Sequence, residues 1–118
     1  MSEIIWQLID RDATLARLAN DEELLRELAG YFLEDHKPQI IALTNAIASG
    51  DAAAVERAAH SLKGMAANLG ARDVTQAASE LELMGRNRDL TKSADIQGGL
   101  KMAIDRLVSA LRGYLGTP

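Results

Sequence analysis

A chain of 118 residues with 47% apolar and 3% aromatic content is sized for one domain, residues 1–118, around one core of mostly alanine and leucine. That composition favours helix packed on helix over sheet, and the lack of cysteine excludes disulfide frameworks and thiolate metal sites. A net charge of -4 with 13 dispersed Lys and Arg residues argues against nucleic acid as a partner.

The N-terminus, Met1-Ser-Glu-Ile-Ile-Trp, lacks the basic start of a signal peptide, and no apolar run nears the roughly 20 residues of a membrane span. A cytoplasmic protein is therefore expected. Ile4, Ile5, Trp6, Leu8 and Ile9 should close one end of the fold. Asp10 or Asp12 can cap a short first helix ending near Asn20. Asp21 caps a second, with Glu22 and Glu23 in the first turn where acids suit the helix dipole. Its stripe of Leu25, Leu28 and Phe32 continues in phase through Ile40, Leu43 and Ile47, but Pro38 interrupts it. A kink or a brief break is expected near Asp35–Lys37, because proline removes a hydrogen bond and crowds the preceding turn. Gly50 and Asp51 mark a sharp boundary.

The third helix, Ala52 to about Leu69, turns Val55, Ala58, Ala59, Leu62, Met65, Ala66 and Leu69 to the core, and Gly70 follows its last turn. His60 falls roughly 160° from the centre of that stripe, on the outer face. Beside it lie Ala53, Gly64 and Ala67, with Glu56, Arg57 and Lys63 along the flanks. A fourth helix from near Arg72 to Arg86 carries Val74, Ala77, Ala78, Leu81 and Met84 inward. Asn87 to about Ala94 reads as a connection. A last helix starts between Thr91 and Gly99 and turns Ile104, Leu107, Leu111 and Leu115 inward. Short connections between long amphipathic helices imply an all-α, up-down-up-down antiparallel four-helix bundle with a short extra N-terminal helix.

The outer face of the third helix is where chemistry can reside. A neutral imidazole is a nucleophile, and with a pKa of about 6.5 it is mostly neutral near pH 7. Lys63, at i+3, can reach back over His60 and offset charge on a phosphoryl group. Gly64 adds no side chain where an incoming protein must approach, and Ala67 keeps the same strip low. A lone surface histidine is usually only solvated; the joint register of His60, Lys63, Gly64, Ala67, Gly70 and Ala71 is what shifts the reading. His36, beside the proline irregularity, reads as structural or solvated. His36 and His60 lie on different helices without the carboxylate spacing of a metal site, so neither a metal nor a cofactor is expected. No paired carboxylates of a hydrolase and no nucleotide-binding fingerprint occur.

Ala59-His60-Ser61-Leu62-Lys63-Gly64, then Asn68-Leu69-Gly70-Ala71 and Leu81-Glu82, resembles the histidine-containing phosphotransfer (HPt) domain of multistep two-component phosphorelays. The likeness runs from Asp10 to Leu115. It implies that His60 is the phosphoacceptor, Lys63 its electrostatic support and Gly64 the clearance residue. It also implies that Glu82 accepts a bond from the other ring nitrogen and that Arg86 lies near the phosphoryl group. Many members carry a second lysine or another polar residue at the place of Ala67, which leaves the phosphoryl group with less support here. Arg57, Ala67, Leu83 and Arg86 are the residues expected to touch a partner.

The implied role is that of a phosphorelay intermediate without autonomous catalysis. It would exchange a phosphoryl group with response-regulator receiver domains, and with a hybrid sensor histidine kinase, as a monomer. The receiver would bring the Mg²⁺. Two other readings stand beside it. A non-phosphorylated helical interaction module would dock a partner through the same bare face. The dimerisation domain of a histidine kinase is disfavoured, since no ATP-binding domain follows and that family's acidic start after the histidine is missing.

Overall fold

The computed structural model describes residues 4–116. Met1, Ser2 and Glu3, part of the sequence ground for expecting no signal peptide, lie outside the described residues. Six helices follow one another: α1 Ile5–Leu8, α2 Arg11–Arg17, α3 Glu22–Ser49, α4 Ala52–Leu69, α5 Arg72–Arg86 and α6 Ser93–Leu115. The last four form an antiparallel bundle in cyclic order, α3 against α4, α4 against α5, α5 against α6, and α6 back against α3. Among the described residues no helix is long and apolar enough to cross a membrane.

Helix ends follow local chemistry. Asp10, Asp21 and Asp51 accept from the backbone N–H three residues on, at Ala13, Leu24 and Ala54, and so begin α2, α3 and α4. Gly50 and Gly70 take φ values of 69° and 70°, the left-handed cap that lets the chain reverse after α3 and α4. The helix that follows Asp10, α2, stops at Arg17, short of Asn20, because Ala19 and Asn20 both adopt positive φ. The single extra helix expected before the bundle is in fact two. Ile5–Leu8 forms one further turn, with Ile5 and Ile9 buried against the bundle end.

Pro38 breaks nothing: α3 runs unbroken for 28 residues with the proline inside it. The missing N–H leaves the carbonyl of Glu34 without its helical donor. Both Glu34 and Pro38 are on the exposed side of α3, where water can satisfy that carbonyl. The stripe around it buries Leu25, Ala29, Phe32, Leu43 and Ala46. His36 also turns inward, its Nδ1 2.9 Å from the Phe32 carbonyl and its ring stacked on Phe32, which makes it a structural histidine.

Length mismatch explains the N-terminal segment. At about 3.6 residues per turn, α3 outreaches α4 and α5 by more than two turns, and α6 outreaches them by about one to two. The overhanging ends of α3 and α6 need a cover, and α1 and α2 supply it. Trp6 meets Tyr114 edge-on at 5.4 Å, and Arg26 donates to the carbonyls of Tyr114 and Leu115 at the end of α6. Thr14, fully buried, donates to the Leu69 carbonyl, and Arg17 donates to that of Ala67. Thr14 thus gives the Leu69 carbonyl a donor at the end of α4, and Arg17 adds a second donor to the Ala67 carbonyl, which already accepts from the Gly70 N–H.

Candidate functional site

The outer face of α4 has the profile its periodicity predicts. Val55, Ala58, Ala59, Leu62, Ala66 and Leu69 are buried, while Ala53, Arg57, His60 and Gly64 are exposed. The His60 side chain is 69% exposed. A methyl on Gly64 would meet nothing within 4 Å, so the surface one turn beyond the ring is open. Ala67, half-buried, continues that low strip.

α5 brings up the chemistry beside the ring. Glu82 is only 4% exposed, and its carboxylate sits where three basic side chains converge. His60 Nδ1 is 2.6 Å from Glu82 Oε2, and Lys63 Nζ bonds Glu82 Oε1. Arg86 Nη2 is 3.6 Å from Oε2, while Arg86 Nε donates to Glu56 on α4 at 3.2 Å. Lys63 therefore rests on the carboxylate next to the ring, and the cation expected to reach back over His60 shares its partner instead.

Burial alone would make this carboxyl a weaker acid, raising its pKa, but its neighbours win. Bonding by the Lys63 ammonium, and then by the His60 ring, holds Glu82 below its ordinary value of 4.5. The group is ionised near neutrality and can only accept hydrogen bonds. The proton of a neutral His60 ring must then lie on Nδ1, which leaves the Nε2 lone pair free and turned from the carboxylate. A nucleophile with fixed tautomer, open to solvent and bordered by cations, is what the arrangement supplies.

Of the residues singled out in the sequence, Arg57, His60, Glu82 and Arg86 line one shallow depression with Glu56 and Ser61. Leu83, 53% exposed, does not join them and lines a separate depression with Glu80, Met84, Asn87 and Asp89. Two contributions escaped sequence reasoning: the task of Glu56, placed only on the flank, and Gly85 altogether. Glu56 ties Arg86 across the helix pair. Gly85 is buried between α5 and α4; its signal was a glycine in phase with the inward-facing Leu81, inside an otherwise strong helix. Among the described residues no three His, Cys, Asp or Glu side chains form a group that could hold a metal.

Comparison with known proteins agrees with this fold. The model of the Hpt domain family matches residues 27–110. The crystal structure of histidine-containing phosphotransfer protein B from Pseudomonas aeruginosa PAO1 is similar, with a TM-score of 0.80 and 25% sequence identity. That similarity covers 89% of this chain and 92% of the Pseudomonas one. No curated protein is a significant sequence match to the chain.

Proposed function

The chain belongs to the Hpt domain family and is a histidine phosphotransfer intermediate of two-component phosphorelays; from that premise we propose that His60 is the residue that carries the phosphoryl group. The observation that supports this most is the ring's double character, solvent-open on one edge and bonded to an ionised carboxylate on the other. His36, the one other histidine, is buried at 6% exposure and engaged with Phe32.

Hpt domains interact with response-regulator receiver domains, and the step proposed here follows from that. The Nε2 lone pair attacks the phosphorus of a receiver acyl phosphate. The P–O bond to the receiver's aspartate breaks, and the aspartate leaves as a carboxylate. Nδ1 keeps its proton, so the phosphorylated ring is a cation, and Glu82 stands against it as the counter-charge. Reversal returns a neutral imidazole as leaving group, so exchange in both directions suits the site. Lys63 and Arg86, already held at the rim by Glu82, are the cations that can turn to the phosphoryl oxygens.

Mg²⁺ in this exchange is assigned to the receiver, since Glu56 and Glu82, the carboxylates at this face, are both engaged in ion pairs. Arg57, Gly64, Ala67 and Leu83 are proposed to lie under the docked partner. A monomeric cytoplasmic carrier without catalysis of its own, loaded by a hybrid sensor histidine kinase, is the reading adopted. Incubation with receivers phosphorylated on aspartate should label the chain and leave His60→Gln blank. Full labelling of that variant would remove His60 from the role, and unlabelled wild type that still binds a receiver would favour a plain docking module.

A further inference from the structure

Gly85 occupies a close approach of the α4 and α5 backbones. A Cβ built there would sit 2.7 Å from the Ala52 carbonyl oxygen, 2.7 Å from the Glu56 nitrogen and 3.0 Å from Glu56 Cα. These are backbone atoms, which cannot rotate aside. The other glycines inside the helices differ: at Gly30, Gly64, Gly98, Gly99 and Gly113 the added carbon would meet nothing within 4 Å.

The contact lies one rung from the site. In this antiparallel pair Gly85 packs on Glu56, and one turn along, Glu82 meets His60. We infer that Gly85 is a positioning residue: its missing side chain sets the α4–α5 separation at which Glu82 reaches His60 Nδ1. Normal contact of a methyl group with backbone needs about 3.5 Å, so alanine would force the helices apart by roughly 0.8 Å at this rung. The 2.6 Å bond between ring and carboxylate would then open towards or beyond the limit of a hydrogen bond. Glu82 would lose its hold on the ring's tautomer while the bundle stays folded.

The consequence for phosphoryl transfer rests on His60 as acceptor, but the geometric claim can be read without it. Gly85→Ala is made in a chain also carrying Gly98→Ala and Gly99→Ala, exposed helical positions where a methyl meets nothing and should strengthen α6. Ring ¹⁵N shifts report the His60 tautomer, and side-chain ¹³C shifts follow titration of Glu82. Phosphoramidate is the donor, its P–N bond replaced by one to Nε2 with release of ammonia, and ³¹P NMR follows the product. Expected are a mixed tautomer, a Glu82 titration moved back up towards 4.5, and labelling about fivefold slower, the equivalent of one lost hydrogen bond. Glu82→Asp, which retracts the carboxylate by one methylene without touching Gly85, should show the same tautomer mixing and slowing. Wild-type tautomer and rate in a folded Gly85→Ala chain, or in Glu82→Asp, would overturn the inference. Label that persists in His60→Gln, with the ring shifts still responding to Gly85→Ala, would instead sink the acceptor assignment and leave Gly85 in place.

Discussion

Replacing Glu82 with glutamine isolates the charge on which the site is built. The carboxylate is 4% exposed, accepts from His60 Nδ1 at 2.6 Å and from Lys63, and has Arg86 Nη2 3.6 Å away. Glutamine keeps the length and one acceptor oxygen but turns an NH₂ group towards one of the two donors. Making one bond neutral costs about 1 kcal/mol, and the donor-to-donor conflict about 1 kcal/mol more. Against this, an amide is easier to bury than a carboxylate, and the exposed ends of His60 and Lys63 return to water, which screens much of the loss. A net destabilisation of about 1 kcal/mol near pH 7 remains, roughly fivefold in the unfolding equilibrium.

The pH dependence gives this prediction its edge. Because its partners hold the carboxyl below 4.5, the stability it contributes is complete above that value and is lost as pH falls through the lower folded-state value. Glutamine does not titrate. Urea unfolding of both chains, from neutral pH down to about pH 2, should therefore show a gap that closes in acid, where the protonated carboxyl and the amide meet the same donor conflict. A gap that stays constant with pH, or a glutamine chain that is the more stable at pH 7, would refute the reasoning.

Other perturbations follow from the same structure. Lys63→Ala should slow phosphoryl exchange or shorten the life of the phosphohistidine, with stability changed by no more than about 1 kcal/mol because the lysine is part-exposed; rapid-quench transfer and urea unfolding separate the two effects. Pro38→Ala should stabilise by about 1–2 kcal/mol, the helical penalty of proline reduced by the unfolded-state entropy it removes, measured as a shift in urea midpoint. Thr14→Val should cost about 1–2 kcal/mol by stripping the donor from the buried Leu69 carbonyl, seen as a lower melting temperature with His60 chemistry intact.

How much of this was legible beforehand can be judged from particular residues. Asp21, Gly50, Asp51 and Gly70 announce their helix ends because capping is local: one side chain or one left-handed glycine satisfies groups a few residues away. The exposure of His60 followed from its phase against Leu62 alone. Pro38 left a kink and a break both open, and only the break is excluded, for the opposite reason. Its cost is local, but whether a helix survives it depends on which side meets water, and that is set by the bundle.

Periodicity, caps and composition are properties of neighbours in the chain, and they sufficed for helices, their order, their inward faces and an imidazole left outside. Pairings between helices were decided only by folding. Nothing local distinguishes Glu82 from a surface carboxylate until α5 packs on α4, or Gly85 from a weak point in a helix until Glu56 presses on it. Likewise Arg17 and Thr14 acquire their task at the end of α4 only across about fifty residues of chain. Distances held to a few tenths of an ångström between side chains so far apart in sequence come from packing the whole core, and that packing is what turns an exposed histidine into one with a defined tautomer.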